Sequence, residues 1–405
     1  MTLTRFLPRT EAGWHKLLLA ILLLVFVIAS IQYTVKVACD ERDTRSAVVR
    51  WREHIDELFH GVNVYDRYTH PNTPFMALLL RPFTILPPVA CALLWYYVKV
   101  GLTLLSIYWV FQLVATPGLV FPIWAKALAL GLSIRPLLGD LSHGNVNLLI
   151  LFLVVAMLYA FRCRRDLVAG LLLGAAITCK VTPLLFVPYF LWKRSWRVLA
   201  GCCAGLLLCF VLVPSLVFGP ARNATLLTSW TKKMVEPFLV SGVVFYSEHH
   251  NQSLPGTIYR LATHSPSFST YDDKDRYVPL AYHNLITLDT RVVPWLLKGC
   301  MGLFAIVVIW SCRTPTETRE NWLLAAEFSI VILGMLLFSE RTWKHHCVIL
   351  LVPFTVLAHA LGNHWQQVGL RRYLIFTLAS SVALMSLTST SLMGDIRGDM
   401  FLVYG

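Results

Sequence analysis

Long apolar runs alternate with short polar breaks along most of this chain, and two polar stretches are far longer than the rest. A run of roughly 20 residues is enough to carry a helix across a hydrocarbon core of about 30 Å. By that measure the pattern predicts about eleven passes, at 17–35, 88–114, 119–138, 145–161, 167–178, 183–192, 197–219, 292–312, 322–338, 346–362 and 373–393. The expectation is an all-α polytopic membrane protein, a single integral membrane domain over 1–405. Its long loops are 36–75 and 220–290.

Some runs are too short to cross. Leu167–Thr178 and Pro183–Trp192 are half-length and are joined through "CKVTP", which predicts a helical hairpin with Lys180 at its tip. Irregular backbone at membrane depth is tolerated only where it lines an enclosed or wet cavity. The stretch "NTPFMALLLRPFTILPP", 72–88, is apolar and bounded by prolines, and reads as an interfacial or re-entrant helix.

Charge fixes the orientation. Arg5, Arg9 and Lys16 precede the first run and hold the N-terminus in the cytosol. That run is longer than a signal-peptide core and has no small-residue cleavage site, so it is predicted to stay as an anchor. Alternation then puts "RCRR" 162–165, "KRSWR" 193–197, "RTPTETR" 313–319 and "GLRRY" 369–373 on the same inner side. The two long loops fall outside, where length largely exempts them from the charge rule. A multi-pass protein of the cell's inner membrane is expected, with its site on the extracytoplasmic side.

Composition agrees. Of 405 residues, 57% are hydrophobic and 14% charged, against about one-quarter charged in soluble domains. The formal charge of +13 would suggest nucleic acid in a soluble protein. Here much of it sits in short loops, and no aromatic-basic platform accompanies it, so nucleic acid is excluded as a partner. The ten cysteines lie singly or within apolar runs, with neither disulfide nor metal-ligand spacing.

Against this background "FSERTWKHHCVILLVPF", 338–354, gathers Glu340, Arg341, Lys344, His345 and His346 at the mouth of a pass. The predicted topology brings further polar stretches to the same outer face. They are Asp40 and Asp43 after the first pass, "SHGNVN" 142–147, Lys180, and "HHNQSLPGTIYR" 249–260. A lipid-linked phosphate has its tail in the bilayer and its headgroup at this level. Arg341, Lys344, His345, His346, Lys180 and Arg260 are candidates to surround its oxygens by charge-assisted contacts. The same cations would stabilise the charge that develops if the phosphate leaves. Transfer of a sugar then needs a carboxylate to take the acceptor's proton, and Asp43 or Asp40 is the candidate. No cofactor or metal is called for. Lys99 and Lys126, cations within passes, have no evident role, and the "DDKD" at 272–275 reads as a solvated turn.

Over residues 60–355 the sequence resembles glycosyltransferase family 87. The segment 144–199 is similar to that family's central region, with Gly144, Asn145 and Asn147 matching its Gly-Gln/Asn-x-Asn and Lys180 and Pro183 its Lys-x-x-Pro. Asn251, Gln252, Ser253, Leu254, Gly256 and Arg260 match its Asn-Gln-Ser-Leu-x-Gly…Arg, and Trp343, His345 and His346 its Trp-x-His-His. The family's catalytic Asp, counted back from the Gly-x-x-x-Tyr matched by Gly61 and Tyr65, would fall near Ala47. Asp43, then Asp40, are the nearest carboxylates before it. The resemblance implies a GT-C type bundle and an inverting transfer of a hexose, mannose by family precedent. The donor would be a polyprenyl phosphate and the acceptor a lipid or glycan. Asn251 and Gln252 would bind sugar hydroxyls, Asn145 or Asn147 would cap the cavity floor, and Trp343 would line the sugar and acceptor side. The alternatives are a polyprenyl-lipid transporter or flippase, disfavoured by the lack of an internal repeat, and an inactive lipid-binding relative.

Overall fold

A computed structural model describes residues 10–39, 46–239, 246–271 and 277–404. Asp40, Asp43 and the acidic turn 272–275 lie outside the described residues. The first apolar run forms α1 (Glu11–Cys39), uninterrupted by Gly or Pro beyond its first turn. Three short helices follow, α2 (Ala47–Arg50), α3 (Arg52–Phe59) and α4 (Val64–Arg67), before α5 (Pro74–Thr84) and the long α6 (Pro88–Val114). Next come α7 (Ile123–His143), α8 (Asn147–Arg162), α9 (Asp166–Cys179) and α10 (Phe186–Trp192), the last preceded by a 3-10 turn at Thr182–Leu185.

One continuous helix, Trp196–Phe218, is formed by α11 (Trp196–Leu206) and α12 (Val213–Phe218) across a wider π turn. Beyond it lie α13 (Pro220–Trp230), α14 (Glu236–Leu239), α15 (Leu254–Ala262) and an antiparallel hairpin of β1 (Phe268–Tyr271) and β2 (Tyr277–Ala281). The chain ends with α16 (Val293–Ser311), α17 (Trp322–Leu337), a 3-10 turn at Lys344–Leu350 running into α18 (Leu351–Asn363), α19 (Val368–Leu387), α20 (Thr390–Met393) and α21 (Asp395–Tyr404).

Among the described residues six helices are long and apolar enough to cross a membrane: α1, α6, the 196–218 helix, 344–363, α16 and α19. The protein is thus an α-helical integral membrane protein. The helices of 147–162, 166–179, 182–192 and 322–337 are apolar but shorter. The predicted outer loops carry more order than their polarity suggested. Segment 36–75 holds α2 to α4, and 220–290 holds α13 to α15 and the hairpin. Their helices bury apolar positions such as Ile55, Leu58 and Leu226 against the bundle.

At the centre lies α8, whose Leu151, Val154, Met157, Leu158 and Phe161 are all fully buried. Beside it α9 and α11 approach through facing glycines, as small residues allow between helices in lipid. A Cβ on Gly174 would stand 2.7 Å from the Cys202 carbonyl. By contrast α1, α16 and α19 expose Leu24, Ile306 and Phe376, as a lipid-facing rim would.

The two ends of α8 differ. At its C-terminal end the basic breaks meet one another: Lys193 pairs with Glu327 at 2.6 Å, and Arg319 pairs with Asp166 and covers the Phe161 ring. Its N-terminal end gathers the residues described next.

Candidate active site

α7 ends at Gly144 because the chain there takes a left-handed turn, φ 71°, and a side chain would strike Ser46. Trp95 holds the turn through an Nε1 hydrogen bond to the Gly144 carbonyl, 3.0 Å. The turn aims Asn145 and Asn147 in different directions. Asn147 opens α8 and is buried. Its Nδ2 donates to Asp140 Oδ1 at 2.9 Å, and its Oδ1 accepts from Lys180 Nζ at 2.8 Å. Asn145 Nδ2 donates to His345 Nε2 at 3.2 Å, which puts the proton of a neutral His345 on Nδ1.

Asp140 anchors this arrangement. It is fully buried, accepts from the Leu148 amide at the start of α8, and faces Lys99 Nζ at 3.5 Å. Lys99 also donates to the Asp140 and Leu141 carbonyls, at 2.6 and 3.3 Å. A buried charge is retained only when paired and hydrogen-bonded, and each member of this pair satisfies that condition. Lys126, the other cation without an evident role, meets His15 of α1 at 2.8 Å.

Lys180 stands where α9 has ended and the backbone is extended, φ −156° and ψ 130°. Around it converge the turn after α17 and the 3-10 turn before α18. A small cavity of about 20 Å³ is lined by Asn147, Lys180, Thr182, Ser339, Thr342 and His346, room for about one water. His346 Nδ1 lies 3.1 Å from the Arg341 carbonyl and 3.2 Å from the Trp343 amide. Trp343 stacks parallel to His346, and His345 stacks on His143 at 4.6 Å. Arg341 pairs with Glu340 at 2.9 Å and lies over the Tyr246 ring. The charges of Lys180, Lys99 and Arg50 all bear on His345, so positive charge predominates here.

A separate, larger apolar cavity of about 540 Å³ lies between α10, α16 and α17. Leu185 and Phe338, neighbours in sequence of the polar lining, form part of its wall, with Tyr189, Phe304, Val308 and Val331.

Asn145, Asn147, Lys180, Arg341, Trp343, His345 and His346 thus lie together. Three others have their side chains engaged by the outer loop. Arg260, expected on the phosphate, is fully buried. Its guanidinium donates to the carbonyls of Ser247, Glu248, Asn251, Leu402 and Val403, and burial lowers its pKa to about 10. Those carbonyls occupy its donor fork, so it braces the outer loop.

Asn251, expected on sugar hydroxyls, is equally committed. It donates to the Tyr246 and Glu340 carbonyls at 2.8 and 3.0 Å and accepts from the Ser253 and Thr342 amides. Gly256 follows because any Cβ there would strike the Asn251 amide. Gln252 donates to the His249 and Leu402 carbonyls at 2.6 and 2.7 Å. These two residues fix the 338–343 turn from outside. Lys344 is exposed, and the charges nearest it are Arg135 and Asp399.

Sequence reasoning missed Ser46 and Asp140, the partner of Lys99, and took in His143 only as part of the stretch 142–147. An acid four residues before a glycine inside an apolar run was the available signal. Ser46, the first described residue after Asp40 and Asp43, lies against Gly144.

A model of glycosyltransferase family 87 matches residues 68–339. That stretch begins after Asp40 and Asp43 and stops before Arg341. The chain is similar to a polyprenol-phosphate-mannose-dependent alpha-(1-2)-phosphatidylinositol pentamannoside mannosyltransferase of Mycolicibacterium smegmatis. The two are 26% identical over 298 residues, covering 72% of this chain and 61% of the relative. A polyprenol-phosphate-mannose-dependent alpha-(1-2)-phosphatidylinositol mannoside mannosyltransferase of Mycobacterium tuberculosis is 25% identical over 332 residues, 77% of this chain and 67% of that one. GPI mannosyltransferase 1 of Neurospora crassa is 28% identical over 200 residues, 43% of this chain and 41% of that one. No solved structure matches the chain.

Proposed function

This chain belongs to glycosyltransferase family 87, and from that premise we propose that it moves a hexosyl group from a polyprenyl phosphate to a lipid or glycan acceptor. Mannose is the sugar in the relatives' names, and phosphatidylinositol mannosides and GPI are the acceptors named there. The reaction takes place at the extracytoplasmic face of a single membrane domain of about eleven passes, with 36–75 and 220–290 on that face.

The observation that carries this reading is the convergence of Asn147, Lys180 and His346 on one small cavity, with Asn145 on His345 beside it. The bundle holds both a small cavity lined in part by Asn147, Lys180 and His346 and a separate apolar one of about 540 Å³. A polyprenyl phosphate has that same division, a charged head on an isoprenoid tail. Lys180, Arg341, His345 and His346 hold the phosphate, with Lys344 at the outer rim. Asn145 and Trp343 flank the sugar. A cavity of about 20 Å³ is too small for the head, so the 339–343 turn shifts as the head binds.

Transfer inverts the anomeric centre. The acceptor oxygen bonds to C1 as its proton passes to a carboxylate. The bond from C1 to the phosphate oxygen breaks, and its electron pair leaves on polyprenyl phosphate, where the cations stabilise the growing charge. Asp43 is the base, with Asp40 the second choice. Ser46, three residues after Asp43 in sequence, packs against Gly144, which supports this choice.

The test uses purified full-length protein in nanodiscs with short-chain polyprenyl-phosphate mannose. Release of polyprenyl phosphate that requires added phosphatidylinositol mannosides, and that falls about 10²–10⁴-fold in Asp43→Asn, is expected. Donor binding without release, under every donor and acceptor tried, would turn the reading to lipid binding or transport.

A further inference from the structure

Outside the cation cluster, the outer loop and the last helix bring His249, His250 and Asp399 together, one ligand atom from each lying within 4.8 Å of the others. His249 is only 7% exposed. Its Nδ1 lies 3.0 Å from the Ser267 carbonyl, an acceptor, so Nδ1 carries the proton and Nε2 presents its lone pair. A carbonyl accepting from the far ring nitrogen is the arrangement that orients a metal-binding imidazole.

Nε2 is buried and has no hydrogen-bond partner among the described residues. It faces Asp399 Oδ1 at 3.6 Å. Two lone pairs opposed across that gap repel unless a proton or a metal ion sits between them. His250 completes the third side, its ring edge-on to His249 at 3.8 Å, and Phe268 packs on the His249 ring. Nearby negative charge comes from Glu248 and Asp399, and positive charge from Arg260 and Lys344.

We propose that His249, His250 and Asp399 bind one divalent transition-metal ion, zinc by the chemistry of two imidazoles and a carboxylate, and that the ion pins α21 to the outer loop. The donor set leaves a fourth tetrahedral position to water. The mechanical role follows from what already joins these elements. Arg260 and Gln252 hold the Leu402 and Val403 carbonyls at the far end of α21, while nothing comparable holds its Asp399 turn among the described residues. The same loop carries Asn251, which fixes the 338–343 turn.

Full-length protein without a histidine tag, stripped with chelator in detergent, is titrated with Co2+ and then with Zn2+. One equivalent of Co2+ is expected to give visible ligand-field bands, to be displaced by Zn2+, and to raise the melting temperature. His250→Ala removes an exposed side chain and should weaken Co2+ binding at least tenfold with the fold intact. Asp399→Asn should do the same. Absence of the bands, or bands of unchanged affinity in the His250→Ala/Asp399→Asn variant, would overturn the assignment.

Discussion

Lys180 Nζ donates to Asn147 Oδ1 at 2.8 Å, joining the break after α9 to the first residue of α8. Through Asn147 the ammonium is tied to Asp140 and so to Lys99. The lysine is therefore positioned before any ligand arrives, which is what lets a cation act on developing charge without reorganising.

Lys180→Met should lower kcat by about 10²–10³-fold, the cost typical of losing one charge-stabilising donor, with little change in melting temperature. Asn147→Ala should show a smaller loss, since the ammonium remains but is no longer aimed. Donor turnover measured at saturating acceptor checks both. A Lys180→Met enzyme within tenfold of the parent would remove this lysine from the chemistry.

The Lys99–Asp140 pair calls for a different experiment. Both side chains are fully buried, and breaking one half of such a pair typically costs about 3–5 kcal/mol. Lys99→Met and Asp140→Asn should each destabilise strongly. The double variant should recover most of that loss, because no unpaired charge remains. Its turnover should stay below that of the parent, since Asn147 loses a charged acceptor. Additive destabilisation in the double variant would show that the two residues are not coupled.

Much of this arrangement was legible in sequence because it rests on departures from an apolar background. The break at Lys180 announced itself through two half-length runs around "CKVTP", and the structure puts extended backbone there. Asn145, Asn147, His345 and His346 were found as polar residues where lipid would exclude them. What could not be read was direction. Nothing in "NQSLPGTIYR" distinguishes an Asn that offers its amide to a sugar from one that spends it on Glu340 and Tyr246. The partners of Arg260 were hidden for the same reason, because carbonyls are contributed by backbone and leave no trace in residue type. Lys99 and Asp140 lie 41 residues apart, so their pairing appears only once α6 and α7 are packed.

Arg260 yields the sharpest contrast between a bracing and a binding role. Lysine at that position keeps the charge but loses the planar fork, and each buried carbonyl left unpaired costs about 1–3 kcal/mol. Arg260→Lys should therefore lower the melting temperature markedly while leaving the KM for donor unchanged below the transition. Thermal unfolding and donor kinetics on one preparation decide it. A raised KM with an unaltered melting temperature would return Arg260 to the phosphate.

The pH dependence of stability should come in part from His70, which lies outside the spanning helices between α4 and α5. Its ring is fully buried, beside Trp51, Tyr65 and His54. Burial, aided by His54, lowers its pKa to about 3, against about 6.5 in an unfolded chain. Between those values the unfolded state binds the extra proton, so stability rises with pH. The contribution is complete above about pH 6.5 and is lost progressively as the pH falls toward 3, with a slope of at most about 1.4 kcal/mol per pH unit from this group. His54, also shifted down by burial, adds to the same trend. Melting temperature should thus fall from pH 7 to pH 5 in the parent and fall less steeply in His70→Phe, which keeps the ring and removes the titration. Equal slopes in the two proteins would show that His70 is not held neutral by the fold.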